Sequence, residues 1–429
     1  SLKIDLGALF DNPIIFNDLS SEMDLNLIDE KVSISNSVFK ATYKKTLIQG
    51  KLNLFASPFD NTGDLSLNIT SDELDYSDAL NLFPNLNYTR LTKSWLQKSI
   101  TCGSLQGFVF VYRAPIDNKY DDSSSSFQSK GLLNNACLNI NDIDINNIKL
   151  VSEIKNSSFF GQILDSDLYG SKIEGTVKTY KDDINYRLEL KGKSEGPFAT
   201  ILRLSNLNQI FDTELDESGE HNTNFYFISP LVSDFDLLGK NSDLKLSTKI
   251  KGASFRNRNT NLNFSNLYSS LEYDSSIGVK DGFATLKINN IPVKFDIKRG
   301  KENGVFNTKF IAKENFSAKN IFSDLENRNE IKGSSIFKIR LTLPSFIKEQ
   351  PFIDPKIEVL SNLKGVSINL PDPLKKLRDS EVEFNLILKP YLNMPPMLSF
   401  KYGELFRGKF RFLNNLTEGF VIAGKKKQS

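Results

Sequence analysis

The sequence predicts a mostly-β protein, built as a long antiparallel meander with a few short helices. Three observations predict it. Apolar residues recur with period two over short stretches. Clusters of Asn, Asp, Gly and Ser break those stretches at intervals of roughly 8–12 residues. Helical periodicity is sparse.

The alternating stretches come in chain order. Leu65, Leu67 and Ile69 alternate with polar residues, as do Ile143 and Ile145, Leu244 and Leu246, and Leu286 and Ile288. Val293, Phe295 and Ile297 follow, then Phe384 and Leu386. Alternation places one row of side chains on each face of a strand. The breaks at Asp60-Asn61-Thr62-Gly63, Lys181-Asp182-Asp183 and Lys301-Glu302-Asn303-Gly304 read as hairpin turns, because Asn, Asp and Gly tolerate positive φ. The polar half of each strand is Ser, Thr, Asn and Lys, so the sheet has one wet and one apolar face, as antiparallel sheets permit. Such a sheet must fold over, pair with a second sheet, or hold something apolar.

Three stretches carry helical signals. From Ser77 to Ser99, Ser77 or Asp78 could cap a short turn ending near Pro84, after which Leu91, Trp95 and Leu96 form a stripe opposite Lys93, Gln97 and Lys98. Phe198 to Ile210 follows Gly196-Pro197, and a third short helix is expected at Asp372 to Arg378. Asp121 to Ser126 is a Ser-rich exposed loop. The organisation expected is a meander over 1–76, short helices with a Gly-bearing strand and loop over 77–128, a meander over 129–240 with its helix at 198–210, and a final meander over 241–429.

A chain of 429 residues exceeds what one core fills, although repetitive elongated architectures escape that limit. It holds 33 Phe but one Trp, one His and three Met, which stocks apolar surface rather than acid–base chemistry. With 54 basic against 52 acidic residues, there is no footprint for nucleic acid. Lys425-Lys426-Lys427 reads as a solvated tail or, alternatively, as a contact for anionic lipid head groups. Cys102 and Cys137 form neither a disulfide framework nor a metal pattern; a single disulfide and two buried thiols both stay open. No apolar run approaches the ~18 residues of a membrane span. The pattern is already running at Leu2, Ile4 and Leu6, as if cut from something longer, and any anchor would lie outside this chain.

Catalytic constellations are weak. His221 sits in a polar stretch, Glu217 to Asn224, and reads as a surface-loop residue. Asp142, Asp144, Asn146 and Glu153 approach calcium-loop spacing, but Asn147 stands where Gly is needed and the flanks alternate as strands. Asp234 and Asp236 alternate with Phe235 and Leu237, so they read as the wet side of one segment rather than a glycosidase pair. No phosphate-binding loop or metal spacing is present, and no catalytic residue, metal or cofactor is expected.

Three stretches resemble the YhdP branch of the bacterial AsmA-like and TamB-like proteins. Residues 82–96 run from Leu-Phe-Pro to Ser94-Trp95-Leu96, followed by a Gly-bearing strand from Ile100 to Gly107 and Tyr112-Arg113-Ala114-Pro115. Glu195-Gly196-Pro197-Phe198 precedes a short helix. Ser361 to Lys376 carries Leu363-Lys364-Gly365, an alternating apolar stretch and Leu370-Pro371-Asp372-Pro373-Leu374-Lys375-Lys376. The resemblance spans about residues 60 to 415 and rests on structural motifs. It implies a sheet folded over into an elongated groove, on a periplasmic protein anchored to the inner membrane by a segment absent from this chain. It implies no enzyme but a bridge-like carrier of phospholipid between inner and outer membranes, with acyl chains and components of both membranes as partners. The groove lining would come from Leu65, Leu67, Ile69, Ile143, Ile145, Leu286, Ile288, Val293, Phe295, Ile297, Phe384 and Leu386. The alternatives are a structural or adhesive β-rich scaffold with a closed core, and a carbohydrate-active β-helix enzyme.

Overall fold

Alternation becomes strand along most of the chain. The computed structural model describes residues 2–4, 13–28, 31–57, 62–84, 89–115, 124–140, 143–182, 185–204, 213–215, 218–231, 242–257, 263–317, 330–345, 353–372, 374–390, 395–413 and 416–424. Twenty-five strands and three helices form among them. They belong to two units, the first Ser1–Glu195 with Asn224–Leu244, the second Gly196–Thr223 with Lys245–Ser429.

In the first unit, β1 (Leu2–Ile4) pairs with β2 (Ile14–Ile28), and β3 (Lys31–Tyr43), β4 (Thr46–Ser57) and β5 (Thr62–Asp75) follow, each antiparallel to the one before. Helices α1 (Tyr76–Asn81) and α2 (Arg90–Ser99) interrupt the meander. It resumes through β6 (Ile100–Pro115), β7 (Ser126–Ile140), β8 (Ile143–Lys155), β9 (Ser158–Leu168), β10 (Ser171–Lys181) and β11 (Tyr186–Pro197). Sequence neighbours are spatial neighbours, as a hairpin-connected sheet requires.

The chain enters the second unit with α3 (Phe198–Leu204) and β12 (Thr213–Leu215). It returns along β13 (Glu220–Pro230), after which the Leu231 N–H donates to the Tyr186 carbonyl at 2.7 Å. The second meander runs through β14 (Asp243–Asn257), β15 (Asn263–Asp274), β16 (Gly278–Ile288), β17 (Ile291–Glu302), β18 (Val305–Ser317), β19 (Ile331–Pro344) and β20 (Lys356–Ser361). Short β21 (Val366–Ile368) turns back to pair with β19. Strands β22 (Phe384–Lys389), β23 (Met397–Tyr402), β24 (Phe406–Leu413) and β25 (Leu416–Ala423) continue from β20.

Period two decides what is inside. On β17, Val293, Phe295 and Ile297 are buried while Lys294, Asp296 and Lys298 are exposed. The turn that follows has Asn303 at φ +50° and Gly304 at +84°, the double positive φ of a tight two-residue hairpin. Pure alternation fails at bulges. On β7, Leu133 and Ala136 are both buried, with Asn135 at φ +50° between them and a register shift at that point. On β8, Ile145 packs against the core and Ile148 is buried, with Asn147 at φ +53° between. Each bulge inserts one residue, so the inward parity flips and the twist increases.

Asn147, where a calcium loop would need Gly, is therefore a bulge residue. Asp144 accepts a bond from Asn139 Nδ2 at 2.6 Å, and Glu153 pairs with Lys130 at 3.3 Å. Asp142, Asp234, Asp236 and Lys425 to Lys427 lie outside the described residues, as do Asp121 to Ser123 of the expected exposed loop, whose Ser125 is buried and whose Ser126 begins β7.

Four expectations are corrected. The expected short turn and the stripe after it form as α1 and α2, but the cap of α1 is Asp75 rather than Ser77 or Asp78, its carboxylate accepting from the Ser77 N–H at 2.8 Å. Lys93 is buried rather than on a solvated face, because its ammonium donates to the Phe83 carbonyl at 3.0 Å. No helix forms at Asp372 to Arg378: Lys376 exchanges backbone bonds with Ile368 instead, as Pro371 and Pro373 lack the N–H a helix needs. His221 is buried on β13, with Nδ1 3.1 Å from Thr223 Oγ1, rather than on a surface loop. Helix α3 ends at Leu204, and residues 205–210 of its expected stretch are outside the described ones.

Candidate functional site

The candidate site is the apolar face of each unit's sheet. In the first unit this face is largely covered. Ile69 of β5 stands opposite Phe110 of β6, and both are almost fully buried. The helices lie over them: Phe83 meets Phe127 with ring centroids 4.9 Å apart, Trp95 meets Phe159 at 5.7 Å, and Phe127 meets Phe110 at 5.4 Å. Polar bonds fix the cover. Tyr76 Oη donates to the Leu96 carbonyl at 3.2 Å, Thr89 Oγ1 to Pro84 at 2.7 Å, and Thr92 Oγ1 to Ser157 at 3.0 Å. Burial pushes the Tyr76 phenol far above its ordinary range, and burial with nearby Asp78 pushes that of Tyr43 up to about 12. A disulfide joins Cys102 and Cys137 across β6 and β7, at the third residue of the strand that leaves α2.

The face opens toward β2. Leu25, Ile34, Leu54, Leu65 and Ala114 stand opposite one another in successive strands. Leu25 is 66% exposed and Ala114 8%, so burial rises along the row. A cavity of about 360 Å³ is lined by three consecutive residues on each of four strands, centred on Ile34, Leu54, Leu65 and Ala114, together with Ser124.

The second unit carries a longer row. Ile297, Phe310, Leu341, Ile357, Leu388, Leu398 and Phe410 are paired in unbroken succession from β17 to β24. Ile297 is fully buried, and every residue from Phe310 onward is half-buried. A second row, Ala312, Ile339, Val359, Leu386, Phe400 and Gly408, runs beside it. The ring of Phe400 occupies the place a Cβ on Gly408 would take, and Phe410 does the same over Gly419. The two rings stack nearly parallel, 6.2 Å apart. Near β14 and β15 the face is covered by Phe198 of α3, which meets Phe255 at 6.3 Å. Leu363, Val366 and Ile368 cover part of β19, and buried Lys376 pins that segment by donating to the Val366 and Leu377 carbonyls.

The expected lining residues divide accordingly. Leu67 and Ile69 are buried in the first unit's core, with Leu65 and Ile145 packed against it. Leu286, Val293, Phe295 and Ile297 are buried in the second, with Ile288 and Phe384 against it and Leu386 half-buried. The Ile143 side chain lies outside the described residues. Sequence reasoning missed Leu388, Leu398, Phe400 and Phe410, although their period-two spacing was available as a signal. Among the described residues no helix is long and apolar enough to cross a membrane, and no group of three His, Cys, Asp or Glu could hold a metal.

The family described as YhdP protein matches residues 1–429. No curated protein and no solved structure matches the chain.

Proposed function

We propose, from the premise that the chain belongs to the YhdP family of AsmA-like lipid-transport proteins, that it carries phospholipid between the inner and outer membranes. The observation that carries this reading is the second unit's half-buried row from Phe310 to Phe410. A row of this kind can shelter an acyl chain at about 0.8 kcal/mol per buried methylene. Its residues are uniformly apolar, so no position holds the tail much more tightly than the next. The head group stays in water. The family is one of transport proteins rather than enzymes. The Cys102–Cys137 disulfide supports an oxidising compartment such as the periplasm.

The test is lipid bound after purification, measured by mass spectrometry of the extract, with a photo-crosslinking side chain at Leu398. Phospholipid should co-purify and crosslink at Leu398 but not at outward-facing Lys298, and L388E/L398E should remove it. Lipid-free protein, or equal crosslinking at both positions, would sink the reading. A second reading is favoured locally: the almost complete burial of Ile69, Phe108, Phe110 and Tyr112 suits a closed scaffold in the first unit.

A further inference from the structure

The outward face of β22–β25 differs from that of its neighbours. On β19 and β20 two cations are neutralised, Arg340 by Glu358 at 3.0 Å, and Lys356 by Glu358 at 3.5 Å and Glu302 at 3.4 Å, while Lys338 of β19 makes no ion pair among the described residues. On β24, Arg407, Lys409 and Arg411 alternate on one face, all exposed and with no ion pair among the described residues. Register places Ile422 opposite Arg407 and Phe420 opposite Lys409, and these two apolar side chains are 42% and 53% exposed. On the other side Lys401 stands opposite Arg407. Two carboxylates temper this charge: Glu418, opposite Arg411, and Glu383, 2.6 Å from Lys401. The sequence continues the positive charge through Lys425, Lys426 and Lys427.

A merely solvated face would place polar residues among its cations. Here an exposed Phe and Ile stand among them, in the pattern of a surface that meets phosphate and the first acyl carbons together. We propose that the Arg407–Lys409–Arg411 face, with Phe420 and Ile422, docks on the surface of an anionic phospholipid bilayer. The charge complementarity is the argument, and it is independent of any lipid held on the opposite, apolar face.

Vesicle flotation of the full chain tests it, with phosphatidylcholine alone against phosphatidylcholine mixed with phosphatidylglycerol. The chain should float with the anionic vesicles only, and added salt should release it. R407E/K409E/R411E should weaken partitioning by about a hundredfold or more, and F420S/I422S by several-fold. K249E/K251E on β14 should float like the parent. Should the triple reversal fail to fold by circular dichroism, R407Q/K409Q/R411Q and the salt dependence of the parent carry the decision. Equal flotation with neutral vesicles, parent-like binding by the triple variant, or preference for a DNA duplex over anionic vesicles would overturn the proposal.

Discussion

The two units use the same residue types on their apolar faces and reach different ends. Ile69 and Phe110 in the first unit are buried in a core that also holds Phe83 and Trp95. Leu388, Leu398 and Phe410 in the second keep part of their surface in contact with solvent. The strands do not explain this, because both sets alternate on antiparallel ladders. The covering elements do. Phe83, just past α1, and Trp95 of α2 bring aromatic rings onto β7 and β9, whereas Phe198 of α3 meets Phe255 on β14. Alternation therefore chooses which face is apolar, and the lids choose whether that face becomes a core.

Four measurements would break or sharpen this comparison. Phe110→Ala should be the most damaging, costing about 3–5 kcal/mol in urea unfolding, because the helices leave the cavity no way to collapse. Replacing Cys102 and Cys137 with Ser opens a loop closed over 35 residues and should cost about 3–4 kcal/mol by chain entropy. The loss should appear as faster hydrogen exchange in β6 and β7 and leave β22–β25 unchanged. Leu398→Ala should cost only about 1–2 kcal/mol, since half-exposed surface is already partly in water; a cost equal to that of Phe110→Ala would erase the distinction.

The smallest effect is in pH. An unfolded tyrosine ionises near pH 10, while burial and then Asp78 hold the folded Tyr43 phenol up to about 12. The unfolded chain thus loses its proton first. Stability that is complete below pH 10 should fall between pH 10 and about 12 in the first unit, and Tyr43→Phe should flatten that fall. In the second unit, burial lowers the Lys376 pKa despite Asp379 and Glu381. The folded ammonium is penalised at low pH, so that unit should gain stability as pH rises toward the ordinary lysine value. Urea midpoints read by segment-resolved hydrogen exchange would separate the two signs.

Much of the fold is legible in the sequence. Val293, Phe295 and Ile297 announce a strand with a buried face, and Asn303-Gly304 announces the hairpin after it. The parity flips are harder to read, because an Asn at φ +50° looks like any other polar residue until its neighbours on both sides prove to be inside. Lys93 and His221 mislead for a related reason: their partners are backbone or hydroxyl groups that a residue pattern does not mark. The candidate site is the least legible feature. Whether Leu398 or Ile69 meets solvent depends on elements far away in sequence, and period two is identical in both.

The glycines beneath Phe400 and Phe410 have a mechanical consequence. With no Cβ at Gly408 or Gly419, each ring lies down across the adjacent strand instead of standing up from its own. The surface is left with shallow ripples, and on the proposed reading friction against a travelling hydrocarbon tail is set by their height. A valine at position 408 would lift one ring and plant a speed bump in the path, slowing passage without removing a single apolar contact.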